Sequence, residues 1–452
     1  MTNQSLQTGT FPSSLKSALI IPTLKSPSVD PEILKNYRPI SNLPFPGKVI
    51  ERIVSQQLMT YLNSNSLLPS RQSAYRQHHS VETALIRVQN DLLQSLDTGN
   101  EAVLLLLDLT SAFDTVDHSI LFTRLRDRFG VTGVALDWFA SYLSRRQQSV
   151  LVKDVKSNPR TLLWGVLQGS VIGPLLFICY TAPVEDIILS HGFSTMMYAD
   201  DTQLYVTMKP QARDQMVSKL ELCLLDIRCW MSENQLTLND SKMEVLHVSS
   251  RFRQRQELGA ITSGGSQVGP SPSLRDLGVI LECHLTMQQH VNNTCKKASL
   301  ALRRIGRVRH YLNSRTTEIL VHTFITSLLD SCNCLLLGAP ERELGKLQRT
   351  QNSAARLVSR VKRSQHITPI LRDLHWLPVQ LRIQSTSQIC LHRTSHQGVC
   401  GHLLNTFSPS IMEPQKPMVT GHLHVVDQNF GMLSQCRYMY APWLMLKFLR
   451  EC

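Results

Sequence analysis

Three aspartates stand where their type and spacing could do chemistry. Asp200 and Asp201 are adjacent in Tyr198-Ala199-Asp200-Asp201, and Asp108 closes the apolar run 103–107. Like charges forced together at one turn repel, and a divalent cation is the usual compensation. A hard ion such as Mg²⁺ prefers carboxylate and phosphate oxygens, and two such ions about 3.5–4 Å apart clamp the attacking and leaving oxygens of an in-line displacement. That chemistry is nucleotidyl transfer. Adjacent aspartates at a turn more often only cap or solvate it, so these residues alone leave three unrelated surface aspartates open.

The elements that must position them can be read from periodicity. Residues 103–107 are continuously apolar, as a strand buried on both faces is, which puts Asp108 at a strand's carboxyl end. A helix follows over 119–129. Residues 194–207 read as strand, acidic turn, strand, because Tyr, Val and Thr favour strands and paired Asp favours turns. A helix over 211–234 comes next, with Met216, Leu220, Leu224 and Ile227 along one stripe. Residues 100–248 thus form an α+β unit with a strand-heavy core. Ahead of it, prolines and Gly47 punctuate short apolar stretches, and a helix spans 48–62. Residues 251–272, rich in Gly, Ser, Gln and Arg, read as a mobile loop.

Beyond 292 the chain turns helical and basic, with Lys296, Lys297, Arg303, Arg304, Arg307 and Arg309 in one cluster and Arg349, Arg356, Arg360, Lys362 and Arg363 in another. Such clusters fit a nucleic-acid backbone by displacing its counterions, whereas a charge run is more commonly a solvated helix face. The whole chain carries 47 Lys plus Arg against 34 Asp plus Glu, a formal +13, which suits a polyanionic partner. Its 452 residues and 42% apolar content allow two or three globular domains. Eleven scattered cysteines include Cys332 and Cys334 two apart and Cys223 and Cys229 six apart, with no C-x-x-C pair; they read as reduced, mostly buried thiols of an intracellular protein. The longest apolar runs, such as 102–107, are too short to span a bilayer, and residues 1–10 lack a signal-peptide core. The expectation is an intracellular protein of the nucleus or cytoplasm, not secreted, with no membrane partner.

The wording and order of further segments bring in a family. Leu107-Asp108-Leu109-Thr110-Ser111-Ala112-Phe113-Asp114 resembles the first catalytic motif of reverse transcriptases. Gly165-Val166-Leu167-Gln168-Gly169-Ser170-Val171-Ile172-Gly173-Pro174-Leu175-Leu176-Phe177 resembles the second, Tyr198-Ala199-Asp200-Asp201 the third, and Leu238-Asn239-Asp240-Ser241-Lys242-Met243-Glu244-Val245-Leu246 the fourth. Upstream, Asn36-Tyr37-Arg38-Pro39-Ile40-Ser41 and Gln72-Ser73-Ala74-Tyr75-Arg76 are similar to the fingers motifs of LINE-type (non-long-terminal-repeat) retrotransposons. Residues 274–285, with Leu277-Gly278-Val279, resemble their primer grip, and Arg372-Asp373-Leu374-His375-Trp376-Leu377-Pro378-Val379 a stretch near the end of their thumb. The resemblance runs in family order over residues 3–383.

It implies an RNA-directed DNA polymerase extending a primer 3′-hydroxyl with dNTPs. Asp108, Asp200 and Asp201 would hold two Mg²⁺ ions, and Lys242 would relieve the pyrophosphate leaving group. The Phe113 ring would floor the sugar pocket and obstruct a 2′-hydroxyl; unaided, it reads as a core aromatic. Gln168 and Gly169 would lie against nucleotide and template, the glycine allowing close backbone approach, and Arg76 would bind the triphosphate. Lys296, Lys297, Arg303, Arg304, Arg307 and Arg309 would hold the template and primer. Asp114 and Asp117 are expected as caps or structural hydrogen-bonders.

Three departures from the family pattern stand out. Leu167 replaces a usual proline, Ala74 replaces a usual glycine, and the family's continuation is lost after about residue 387. The expected architecture is an α+β right-hand polymerase with an antiparallel-sheet palm: fingers and palm over 3–284, a helical basic thumb over 285–390, and a degenerate tail over 391–452. With no endonuclease ahead and no zinc knuckle behind, the chain reads as a fragment of a longer element-encoded protein. The implied partners are an RNA template, a DNA primer end and dNTPs. The competing readings are a catalytically impaired nucleic-acid-binding remnant, an RNA-templated RNA polymerase or an intron maturase.

Overall fold

Why the run ahead of Asp108 carries no polar residue is plain from its place. Strand Glu101–Leu107 is the centre of a five-stranded sheet, flanked by Asp201–Met208 and Glu244–Val248, antiparallel to both. Ser194–Tyr198 forms one edge and Pro270–Ser271 the other. Ala102, Val103, Leu104 and Leu105 have no exposed surface, so both faces of the strand are covered. The computed structural model describes residues 1–110, 112–252 and 258–395, with side chains through Leu391. Ser111 of the first motif and almost all of the tail expected from 391 lie outside the described residues.

The register places the aspartates. Leu107 pairs with Thr202 and Tyr198 with Asp201, so Asp108 leaves the central strand beside the tip of the Ser194–Met208 hairpin. The sheet departs from the antiparallel expectation at one edge, where Pro270–Ser271 runs parallel to Glu244–Val248. The stretch read as a mobile loop over 251–272 also needs correcting. Ile261–Ser263 and Ser266–Val268 pair as a hairpin whose two turn residues, Gly264 and Gly265, have φ of +57° and +84°, the primed geometry that glycine favours. Buried Ile261 anchors it. Residues 253–257 of that stretch lie outside the described residues.

Helices His118–Asp127, Gly133–Leu143, Gly173–Thr181, Pro183–Ser190 and Arg213–Glu233 contribute to the core around this sheet. The stretch Gly173–Ser190 corrects the expectation that every apolar run is far too short for a bilayer, since it is long and apolar enough to cross one. It is mostly buried, and the zero exposure of Leu176, Phe177 and Tyr180 marks it as a core helix pair.

A second sheet orders Tyr37–Asn42, Ser17–Leu24 and Arg146–Val152, with Ser17–Leu24 antiparallel to the first and parallel to the last. Phe45–Ser64 is helical, burying Ile50, Val54, Leu58 and Leu62 at helical spacing. After the hairpin Ser273–Asp276 and Val279–Glu282, the chain is helical: Gln288–Val308, Ser314–Val321, Glu341–Ser359, Ile367–Asp373 and Val379–Ser395. The described residues fall in one compact unit. Most of their cysteines are buried.

Candidate active site

The acidic turn is held from behind by an amide. Ala199 sits at φ +59°, and its N–H donates to Gln72 Oε1 at 3.0 Å while its carbonyl accepts from Gln72 Nε2 at 3.3 Å. Gln72 is 1% exposed and also accepts the Ala74 N–H. Two backbone bonds, Ser73 N to Met197 O and Met197 N to Arg71 O, add this segment to the hairpin edge. A single left-handed non-glycine residue costs roughly 1–2 kcal/mol, which such a bracket can offset.

Asp108 is held by the segment behind it. Its carbonyl accepts the Asn239 N–H at 2.9 Å, and its Oδ2 accepts from Asn239 Nδ2 at 3.3 Å and from Lys242 Nζ at 2.9 Å. Thr110 N donates to Thr237 O, so the residues just after strand Glu101–Leu107 join the segment that leads to Asn239. The fourth motif thus delivers a cation to the first motif's carboxylate.

The three carboxylates act on one another. Burial, then Asp200 and Asp108, push the Asp201 carboxyl up to about 6, with Lys242 opposing. Asp200 is likewise raised by burial and by Asp108, while the charges of Arg38 and Lys242 oppose the rise. Oxygen donors that resist ionising together, with an ammonium already at one of them, fit a divalent cation. Asp117 caps its helix by accepting from Ser119 N and Ile120 N, and Asp114 Oδ2 lies 3.4 Å from Gln168 Nε2, as expected of structural acids.

Two turns meet beside the triad. Val166 N donates to Phe113 O at 2.7 Å, and a Cβ on Gly165 would stand 2.8 Å from Asp114 O. The Phe113 ring is half-buried and stacks on Phe177 with centroids 4.7 Å apart. Gly169 has φ +104°, and a Cβ there would meet Ser41 O at 2.7 Å. The close approach this glycine permits in the structure is to strand Tyr37–Asn42. Ser41 N donates to Gln168 O at 2.8 Å, joining the second motif to that strand.

Residues 24–281 match the family described as reverse transcriptase (RNA-dependent DNA polymerase). The chain belongs to that family. Its relatives include the RNA-directed DNA polymerase from mobile element jockey of Drosophila melanogaster, 26% identical over 408 residues, which cover 86% of this chain and 43% of the relative. The probable RNA-directed DNA polymerase from transposon BS of the same species is 27% identical over 397 residues, 84% of this chain and 42% of the relative. The chain spans less than half the length of these curated relatives. Among solved structures, apo telomerase from Candida tropicalis overlaps with a TM-score of 0.46 at 10% identity, over 88% of this chain and 69% of that one. Telomerase from Candida albicans with a TWJ fragment of telomeric RNA gives 0.43 at 11%, over 90% and 66%. Overlap of that degree carries no structural detail across. Reverse transcriptases use divalent metal ions, which agrees with the donor set around Asp108.

In this chain two residues are not placed as the sequence suggests. Arg76 directs its Nη1 at the carbonyls of Pro69 and Gln72, at 2.9 and 3.1 Å, and so ties its own loop together. Beside Lys242, a second cation whose charge reaches Asp200 is exposed Arg38 on strand Tyr37–Asn42, which sequence reasoning passed over although its motif was noticed. Lys296, Lys297, Arg303, Arg304 and Arg307 are exposed on helix Gln288–Val308, within about a third of its circumference at 100° per residue. Arg309 departs from that set. It is 7% exposed, and its guanidinium donates to the carbonyls of Leu357, Leu312 and Val358, each at 2.7 Å. In the second cluster, Arg360 Nη2 donates to Arg309 O and Leu312 O, whereas Arg349, Lys362 and Arg363 are exposed.

Proposed function

We propose that this chain is an RNA-directed DNA polymerase that adds deoxynucleotides to a primer 3′-hydroxyl on an RNA template inside the cell. The observation that carries this reading is the gathering of Asp108, Asp200 and Asp201 at one end of the central sheet, where each raised carboxyl feels its neighbours and Lys242 faces them. In this reading the five-stranded sheet is the palm, the sheet of strands Tyr37–Asn42, Ser17–Leu24 and Arg146–Val152 with its helices the fingers, and residues 285–390 the thumb. Two Mg²⁺ ions held by the three aspartates would supply Lewis-acid stabilisation of the attacking and leaving oxygens.

The chain's own groups do the rest. Lys242, paired with Asp108 before substrate arrives, turns to the pyrophosphate as it leaves. Arg38 borders the triphosphate, and Gln168 with Gly169 supports the nucleotide and its template base. Phe113, propped by Phe177, closes the space beside the sugar's 2′ position. The exposed basic face of helix Gln288–Val308 follows the template and primer phosphates.

Primer extension by the purified chain on an RNA template tests this. The parent should incorporate dNTPs in the presence of Mg²⁺, and Asp200→Asn should lose extension while binding template and primer nearly as well, since affinity comes from the basic residues. Near-normal extension by Asp200→Asn would overturn the assignment.

A further inference from the structure

Away from the carboxylates, three segments far apart in sequence bring ligating atoms together. Glu82 lies in the first turn of helix Val81–Asp97, Cys334 in the 3₁₀ turn Asn333–Leu336, and Cys390 in helix Val379–Ser395. Their ligand atoms all fall within 4.8 Å of one another, and Cys390 Sγ is 3.8 Å from Glu82 Oε2. Among the described residues no other group of three such side chains is drawn so close. The carboxylate is aimed: its Oε1 accepts the Cys332 N–H at 2.9 Å, which leaves Oε2 for the thiols. Cys332 reaches that bond from a left-handed conformation, φ +55°. Gln89 Nε2, on the same helix as Glu82, donates to Leu335 O at 3.2 Å and holds the turn from a second point.

We propose that Glu82, Cys334 and Cys390 form a binding site for a thiophilic divalent ion of the zinc class. About a tetrahedral centre with bonds of about 2.3 Å to sulfur and 2.0–2.2 Å to oxygen, a sulfur and an oxygen would lie about 3.5–3.7 Å apart, so the 3.8 Å contact needs to close by only about 0.1–0.3 Å. Thiolate donors select zinc over magnesium, which separates this site from the aspartate triad in kind. Cys334 and Cys390 are 5% and 1% exposed while Glu82 is half-buried, so Glu82 stands on the path by which an ion and a completing water enter. Contact with Cys390, then burial, holds the Cys334 thiol well above the ordinary range. The Cys334 thiol stays protonated until a cation arrives, and on binding each cysteine that ligates as thiolate gives its proton to bulk solvent as its sulfur–metal bond forms. The ion ties the helix that begins beside the Gln72 segment to the turn and last described helix of the C-terminal region.

The test is metal uptake by the reduced full chain. Cobalt(II), read by its thiolate charge-transfer and tetrahedral absorption bands, is titrated in and then displaced by zinc, and bound zinc is counted after dialysis. The expected result is one zinc per chain at this site. Cys334→Ser and Cys390→Ser should each lose the charge-transfer intensity and bind at least about tenfold more weakly. Glu82→Gln should keep the sulfur bands with weaker binding, and Cys283→Ser, a buried cysteine elsewhere, should match the parent. Zinc should also raise the thermal midpoint of the parent by several degrees and leave that of Cys334→Ser unchanged. Absence of uptake by the folded, reduced parent chain overturns the proposal whatever the variants do. So does undiminished uptake by both serine variants, or a Cys334–Cys390 disulfide whose reduction yields no metal-binding form.

Discussion

Replacing Gly169 by alanine probes the junction between the second motif and strand Tyr37–Asn42. At φ +104° a Cβ would stand 2.7 Å from the Ser41 carbonyl oxygen, and the chain cannot back away without losing the 2.8 Å bond from Ser41 N to Gln168 O. A positive φ costs an alanine roughly 1–2 kcal/mol, and an overpacked contact against backbone adds roughly 1–3 kcal/mol. The sum is about 2–5 kcal/mol. Gly192 supplies the reference, because it has φ +75° but nothing within 4 Å of its would-be Cβ. Gly192→Ala should show only the backbone part, roughly 1–2 kcal/mol. Urea unfolding of both variants, compared at a common slope, should place Gly169→Ala below Gly192→Ala by about 1–3 kcal/mol. The folded fraction of Gly169→Ala should also show a raised KM for dNTP, because Gln168 moves with its neighbour. Equal losses in the two variants would refute the close approach, and an unchanged KM would refute the link from this junction to the nucleotide.

Phe113→Val should raise the kcat/KM ratio of ribonucleotide to deoxynucleotide; an unchanged ratio in a folded variant makes the Phe113–Phe177 stack plain core packing. Neutralising Lys296, Lys297, Arg303, Arg304 and Arg307 together should flatten the plot of log K against log salt by roughly one slope unit per lost phosphate contact. Arg309→Ala should leave that slope alone and destabilise the chain by about 3 kcal/mol, since three carbonyls lose a charged donor; a changed slope with unchanged stability would restore Arg309 to the binding face. With divalent ions chelated, Asp201 should make stability fall as pH rises from its ordinary value of 3.8 through about 6, because a raised carboxyl favours the folded state only while protonated. Asp201→Asn, or excess Mg²⁺, should flatten that drop in unfolding curves taken across pH.

What could be read in advance was what short-range order encodes. The apolar run ending at Asp108, the acidic hairpin and the Asp117 cap each depend on neighbours a few residues away, and each is where the pattern puts it. Arg76 and Arg309 show the limit. An arginine in a basic or phosphate-binding motif looks the same whether its guanidinium faces solvent or turns inward to carbonyls, and only the fold decides. The hairpin within 251–272 was hidden by composition, because the glycines that suggested mobility are the two that its turn requires. Gln72 was visible only as a motif letter, since the Ala199 amide and carbonyl that it brackets lie 127 positions away. The Glu82, Cys334 and Cys390 set closes over 308 positions, a spacing that no local pattern records.

The active-site turn also explains how three carboxylates can be kept together without unfolding the sheet end that bears them. Each is held by a neighbouring segment: the Asp200 turn by Gln72, Asp108 by Asn239 and Lys242, and the strand after Asp201 by buried Gln203, whose Nε2 donates to Asp276 Oδ1 at 2.6 Å. Asp276 could have added a fourth negative charge to the cluster. Burial, and then the charge of Asp201, push its carboxyl up to about 7 instead, so near neutrality it keeps its proton about half the time and adds less to the repulsion than an ordinary aspartate would while it braces Gln203. The repulsion left in the triad is thus concentrated where a cation can relieve it, which links metal affinity to how firmly those braces hold.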